Sequence, residues 1–185
     1  MRTQWFRWDR RFRGVQSQRI SLIVAWLLAA GNLVAQQPAP ALAEKTELLV
    51  TVPSHEPLHV SITELKALPH ITVTFHNSHT NADETYSGVR IADLLAKLGV
   101  PLGDALRGKA LANYVIATGS DGYKSVLALG EVDPSFHPGE VIVADAMDGK
   151  LLDPHNGPFK VVVTEDKRPA RSVRNLVSIE LRLAQ

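Results

Sequence analysis

Residues 141–144, Val-Ile-Val-Ala, are apolar at every position. An unbroken apolar run of this length suits a strand buried on both faces, so whatever fold contains it must cover its sheet from either side. Asp148-Gly149 then offers the left-handed residue of a tight turn, and Gly157-Pro158 punctuates the approach to a second strand at 159–164. Val177, Ile179, Leu181 and Leu183 alternate with Ser178, Glu180 and Arg182, the pattern of a strand with one buried face. Between these last two strands Lys167, Arg168, Arg171 and Arg174 place four cations within eight residues, with Glu165 and Asp166 the nearby offsets. Such a loop suits an anion. The competing reading pairs these cations with Glu165, Asp166 or Glu180, or leaves them as solvated surface.

The first 43 residues differ in kind from the rest. Six arginines, from Arg2 to Arg19, precede an apolar run at 20–30 (ISLIVAWLLAA). At about 1.5 Å per residue this run is too short for the roughly 30 Å of a bilayer core. The pattern is that of a signal peptide, with small residues at Ala41 and Ala43 placing cleavage after Ala43 and a domain over 44–185. Arg10-Arg11-Phe12 has the form of a loosely spaced twin-arginine export signal, beside general secretory export and an uncleaved anchor. The expected location is outside the cytoplasm, periplasmic or secreted, with no membrane span in the mature chain.

Removing the leader changes the charge argument. It holds six of the 20 Lys and Arg and one of the 19 Asp and Glu, which leaves 14 basic against 18 acidic residues and a net of −4. A mildly acidic domain lacks the extended basic surface that nucleic-acid binding requires, so no nucleic-acid partner is expected. The chain has no cysteine, which removes disulfides, thiolate ligands and thiol nucleophiles together. The remaining length fits one domain with one core.

Residues 47–52 read as a first strand. Ser61-Ile62-Thr63-Glu64 has the form of a capping box opening a short helix that ends before Pro69. Ile71, Val73 and Phe75 alternate with threonines as a half-buried strand, and the polar stretch 76–84 reads as a loop. Ile91, Leu94, Leu95 and Leu98 recur at helical spacing, closed by Gly99. Residues 112–118 and 123–126 are two further strands around a Ser120-Asp121-Gly122 turn, and 129–132 one helical turn. The class is α+β, mostly β, with two or more short helices.

The order of these segments resembles the molybdopterin-binding domain of the sulfite-oxidase type of oxidoreductase, in a short, stand-alone exported form. The resemblance runs from about Ser61 to Leu181. It is carried by Tyr86-Ser87-Gly88-Val89 leading into the helix at 91–95, by Asp121-Gly122-Tyr123, by Asp148-Gly149-Lys150-Leu151-Leu152 followed by Gly157-Pro158-Phe159-Lys160-Val161, and by Ser172-Val173-Arg174 running into Ile179 and Leu181. It implies a single domain of that fold, a molybdopterin (molybdenum cofactor) ligand, and a periplasmic redox or protein partner. In the catalytic members one cysteine holds the metal just after the strand matching 72–75. Here that stretch continues His76-Asn77-Ser78-His79, and Asn77 best fits the position. An amide does not replace a thiolate as a soft, charge-donating ligand. Arg174 stands where the family has a lysine directed at the pterin phosphate, Asn175 replaces its tryptophan, and Tyr123 lies near a tyrosine that lines the metal pocket.

The candidate cofactor-binding residues are therefore His76, Asn77, Tyr123, Arg168, Arg171 and Arg174, with the arginines suited to bidentate phosphate contacts. No metal ligand and no catalytic residue is assigned. His76 and His79, with His55, His59 and His70 upstream, could offer nitrogen ligands. An i, i+3 pair converges only on a helix, and this loop has no helical pattern, so a plain polar loop is the expectation. No nucleophile elbow, phosphate-binding glycine loop or dinucleotide fingerprint occurs. The expected function is binding of a pterin cofactor or related oxyanion by an oxidoreductase-like domain. The alternative is a non-catalytic binding or interaction module on the same scaffold.

Overall fold

The computed structural model describes residues 47–184, so the expected leader and its cleavage point after Ala43 lie outside the described residues. The chain runs β1 (Glu47–Thr51), β2 (Leu58–Ser61), α1 (Ile62–Ala67), β3 (Ile71–Asn77), β4 (Ala82–Arg90), α2 (Ile91–Lys97), β5 (Tyr114–Gly119), β6 (Lys124–Ala128), α3 (Leu129–Val132), β7 (Val141–Met147), β8 (Lys150–Leu151), β9 (Lys160–Val163) and β10 (Leu176–Arg182). One sheet has the order β2-β1-β10-β5-β6, with β1 and β10 parallel and the other neighbours antiparallel. The second has the order β3-β4-β7-β8, and β9 also pairs with β7, all antiparallel.

The apolar run 141–144 sits in β7, and its two faces enter two different cores. Val141 and Val143 join the main cluster with Leu48 and Val50 of β1, Val115 of β5, Ile179 of β10 and Leu94 and Leu95 of α2. Ile142 and Ala144 face the opposite way and pack with Val73, Phe75, Tyr86 and Val162. Successive strand residues point to opposite faces, so a strand with cores on both sides must be apolar throughout. At Gly88 the neighbouring β4 comes so close that an added Cβ would lie 2.1 Å from the Val143 carbonyl oxygen. The β4–β7 register shifts at the same point, between Ser87 and Gly88.

The capping box is present: Ser61 Oγ accepts from the Glu64 amide at 3.2 Å, and Glu64 Oε2 accepts from the Ser61 amide at 2.8 Å. Two expectations need correction. The stretch 76–84 is the end of a hairpin, in which His76 pairs with Asp83 and Asn77 with Ala82, leaving 78–81 as its turn. The stretch hides its strand character because β3 is a sheet edge whose side chains there face solvent, which removes the apolar alternation. In β10 Ile179 and Leu181 are buried as the alternation expects, but Val177 is only partly covered and Leu183, beyond the strand, is exposed; the third buried residue is Leu176, on the far side of a register shift between Leu176 and Ser178 that changes which face each residue meets.

Candidate functional site

A cleft of about 560 Å³ opens where four chain segments meet: the β3–β4 turn, the β5–β6 turn, the approach to β9, and the loop before β10. Asn77, Tyr123, Arg168 and Arg174 line it, joined by Lys160, His79, Asp121, Asn156 and Ser172. His76 and Arg171 are not in the lining. His76 Nδ1 is 2.7 Å from Asp83 Oδ1 on the exposed hairpin. The Arg171 guanidinium donates to both oxygens of Asp166, at 2.9 and 2.6 Å, and to Glu131 at 2.9 Å. Asp166 above all, then Glu131, hold it firmly in its charged form. Its charge is spent inside the protein.

Backbone contacts bring these segments together. An added Cβ at Gly119 would lie 2.8 Å from the Arg174 carbonyl oxygen, so only glycine lets the end of β5 meet the loop before β10. Ser120 donates to the Asn175 carbonyl at 2.9 Å across the same contact. Asp121 Oδ1 accepts from the Tyr123 amide at 2.9 Å, which sets the turn, and the Tyr123 hydroxyl donates to the Ala170 carbonyl at 2.6 Å. The ring is thereby tethered at its tip while half its surface stays exposed. Asn175, in left-handed backbone, donates its amide to the Pro154 and Gly157 carbonyls at 3.0 and 2.5 Å and binds the approach to β9 to the same loop.

The electrostatics follow from pairing. Three cations, Lys160, Arg168 and Arg174, line the cleft with a single carboxylate, Asp121. Among the described residues none of the three has a carboxylate within ion-pairing distance. Arg174 meets the imidazole Nε2 of His155, and Lys160 Nζ donates to the Tyr86 hydroxyl at 2.6 Å. An open concavity with unpaired cations and amide donors can hold a phosphate, sulfate or carboxylate.

The Asn77 amide is oriented by hydrogen bonds at both ends. Its Nδ2 donates to Glu84 Oε1 at 2.8 Å and its Oδ1 accepts from the His79 amide at 3.0 Å. The other histidines scatter: His59 lies by Glu47, His70 by Asp145, and His55 by the Pro53 carbonyl. Among the described residues no three His, Asp or Glu side chains gather as a metal site.

Sequence reasoning missed Lys160 as a lining residue. Its signal was there, a lone cation between Phe159 and Val161 in the otherwise apolar stretch 159–163. Asn156 and Ser172 carried no comparable mark, since their neighbours explain them as turn residues.

The described residues thus form a two-sheet α+β domain with a carboxylate-poor, cation-lined cleft at its strand ends. The sequence profile described as the oxidoreductase molybdopterin binding domain matches residues 36–185, and the chain belongs to that family. Among solved structures, the crystal structure of the sulfane dehydrogenase SoxCD from Paracoccus pantotrophus is similar, with a TM-score of 0.57 and 17% identity. The match covers 73% of this chain and 37% of that one, so this chain spans well under half of the solved chain. At this identity the likeness shows the fold, which is the sulfite-oxidase-type molybdopterin-binding fold. A search of curated protein sequences finds no match.

Proposed function

We propose that this chain is an exported domain that binds the phosphate of a pterin cofactor, or a related oxyanion, in the cleft between the β3–β4 turn and the loop before β10. The observation that carries the reading is the set of three lining cations without carboxylate partners among the described residues. Guanidinium and ammonium groups gathered in one concavity without carboxylate partners are well suited to an anion. Lys160, Arg168 and Arg174 would hold the phosphate, and the cofactor, when bound, would supply the redox chemistry for which the family is named.

The metal end of such a cofactor is less well provided for. The chain has no cysteine, and the Asn77 amide is committed to Glu84 and His79. That supports a second reading, a non-catalytic binding or interaction module on the same scaffold. Protein purified from a molybdenum-replete host separates the two: molybdenum and a fluorescent pterin after acid oxidation support the cofactor, and their absence with retained phosphate binding supports the module.

A ligand that binds the native state raises the melting temperature by mass action. Phosphate and sulfate should do so for the wild type. Arg174→Ala should weaken phosphate binding about tenfold or more, the loss of a charge-assisted hydrogen bond of about 1.5–3 kcal/mol. Unchanged affinity in that variant would remove the cleft as the site. Export rests on the leader composition, and a mature N-terminus at Glu44, read by mass spectrometry of the protein recovered from the periplasm or medium, is the expected result.

A further inference from the structure

The three cleft cations differ in chemistry. Arg168 and Arg174 are exposed guanidiniums, whereas Lys160 is a half-buried primary amine at the first residue of β9. Its Nζ donates to the Tyr86 hydroxyl at 2.6 Å and lies 4.5 Å from the centre of the Tyr86 ring. Tyr86 is buried, and its hydroxyl donates to Glu84 Oε2 at 2.6 Å. Glu84 Oε1 accepts from Asn77. A hydrogen-bonded path therefore runs from a cleft amine through a phenol to a carboxylate with which the amine makes no ion pair. Burial disfavours the charged amine and Arg174 adds to that effect, while Glu84 and Asp153 oppose it; the balance lowers the proton affinity of Lys160. A lysine desolvated beside another cation is one of the standard ways of obtaining a nucleophilic amine at moderate pH.

We propose that Lys160 is a nucleophile that captures an aldehyde or ketone bearing a phosphate or carboxylate, with Arg168 and Arg174 holding the anionic group. The inference rests on the anion-binding reading of the cleft and goes beyond it by adding a covalent step. The ammonium passes one proton to the Tyr86 oxygen as Tyr86 passes its own to Glu84. The freed electron pair on Nζ attacks the carbonyl carbon, the C–N bond forms, and the carbonyl oxygen takes a second amine proton to become a hydroxyl. That hydroxyl leaves as water with the proton returned from Glu84, and an iminium remains on Lys160. One water is released per bond formed, no oxidant or reductant is needed, and hydrolysis reverses the step.

Pyridoxal 5′-phosphate, followed by borohydride and peptide mapping, tests this on the mature chain. Held by its phosphate, the aldehyde meets Lys160 at an effective concentration on the order of millimolar, so micromolar probe should label Lys160 roughly 100-fold faster than the exposed Lys124, Lys150 and Lys167. Labelling of Lys160 should persist to lower pH than labelling of those three. Saturating inorganic phosphate should suppress it, pyridoxal without phosphate should show no preference for Lys160, and Lys160→Arg should remove the adduct. If phosphate binds by calorimetry yet Lys160 is labelled no faster than the exposed lysines, the covalent step is overturned and the anion site stands. If phosphate does not bind either, both readings fall together.

Discussion

At the scale of the residue, the arginines of the loop before β10 show how little a cation's place in the sequence says about its use. Arg171 and Arg174 are three residues apart, yet Arg171 is held by Asp166 and Glu131 while Arg174 faces the cleft beside His155. Arg171→Ala should therefore cost about 1 kcal/mol of stability, the upper end for partly exposed ion pairs, and leave phosphate affinity unchanged. Urea unfolding and calorimetry on the same variant check both halves, and a loss of phosphate binding would show that this guanidinium reaches the ligand after all. The sequence does contain Asp166 and Glu131 as potential partners, one five residues away and one 40 residues away. Nothing in spacing could say that both would choose Arg171, because the second contact depends on where α3 lies in space.

At the scale of the element, the chain's local signals were sufficient where they act within one turn and failed where an element takes its form from a partner across the sheet. The capping box of α1 and the helical spacing of α2 were legible because each depends on neighbours within one turn. The β3–β4 hairpin was not, since its exposed end takes its strand form from cross-strand hydrogen bonds and not from a buried face. Gly88 in β4 stands out in sequence only as part of the Tyr86-Ser87-Gly88-Val89 segment, and the structure supplies its reason: it sits against the β7 backbone. Gly88→Ala should destabilise by about 3 kcal/mol through overpacking, read by chemical denaturation, and an effect under ~0.5 kcal/mol would mean that the strands can part without cost.

The same pair of strands carries an acid-sensitive tie. Arg90, at the end of β4, donates to both oxygens of Glu140, just before β7, at 2.7 and 2.6 Å. The hydrogen bonds from Arg90 hold the Glu140 carboxyl below its ordinary value of about 4.5, against a smaller opposing effect of burial. A depressed carboxylate stabilises the fold above its unfolded value and loses that contribution as pH falls through the folded one. Wild type should thus lose about 1 kcal/mol more than Glu140→Gln between roughly pH 5 and pH 3, measured as the difference in urea midpoints.

At the scale of the whole molecule, the main core joins both sheets and α1 and α2 around β7, β9 and Phe159. Phe159 is fully buried in it, and Phe159→Ala should cost about 3–5 kcal/mol in one cooperative transition. Separate transitions for the two sheets would contradict a shared core.

The sequence by itself determined the fold class, the two-faced burial of β7, the capped helix and the presence of surplus cations near the last strand, because hydrophobic period and turn chemistry act over a few residues. It also settled the absence of a thiolate. Only the tertiary structure decided which cations face the cleft, since Lys160 comes from β9, Arg174 from the loop before β10, and their distance from any carboxylate is fixed by four segments far apart in the chain. Ion pairing depends on separation in space, and sequence records only separation along the chain.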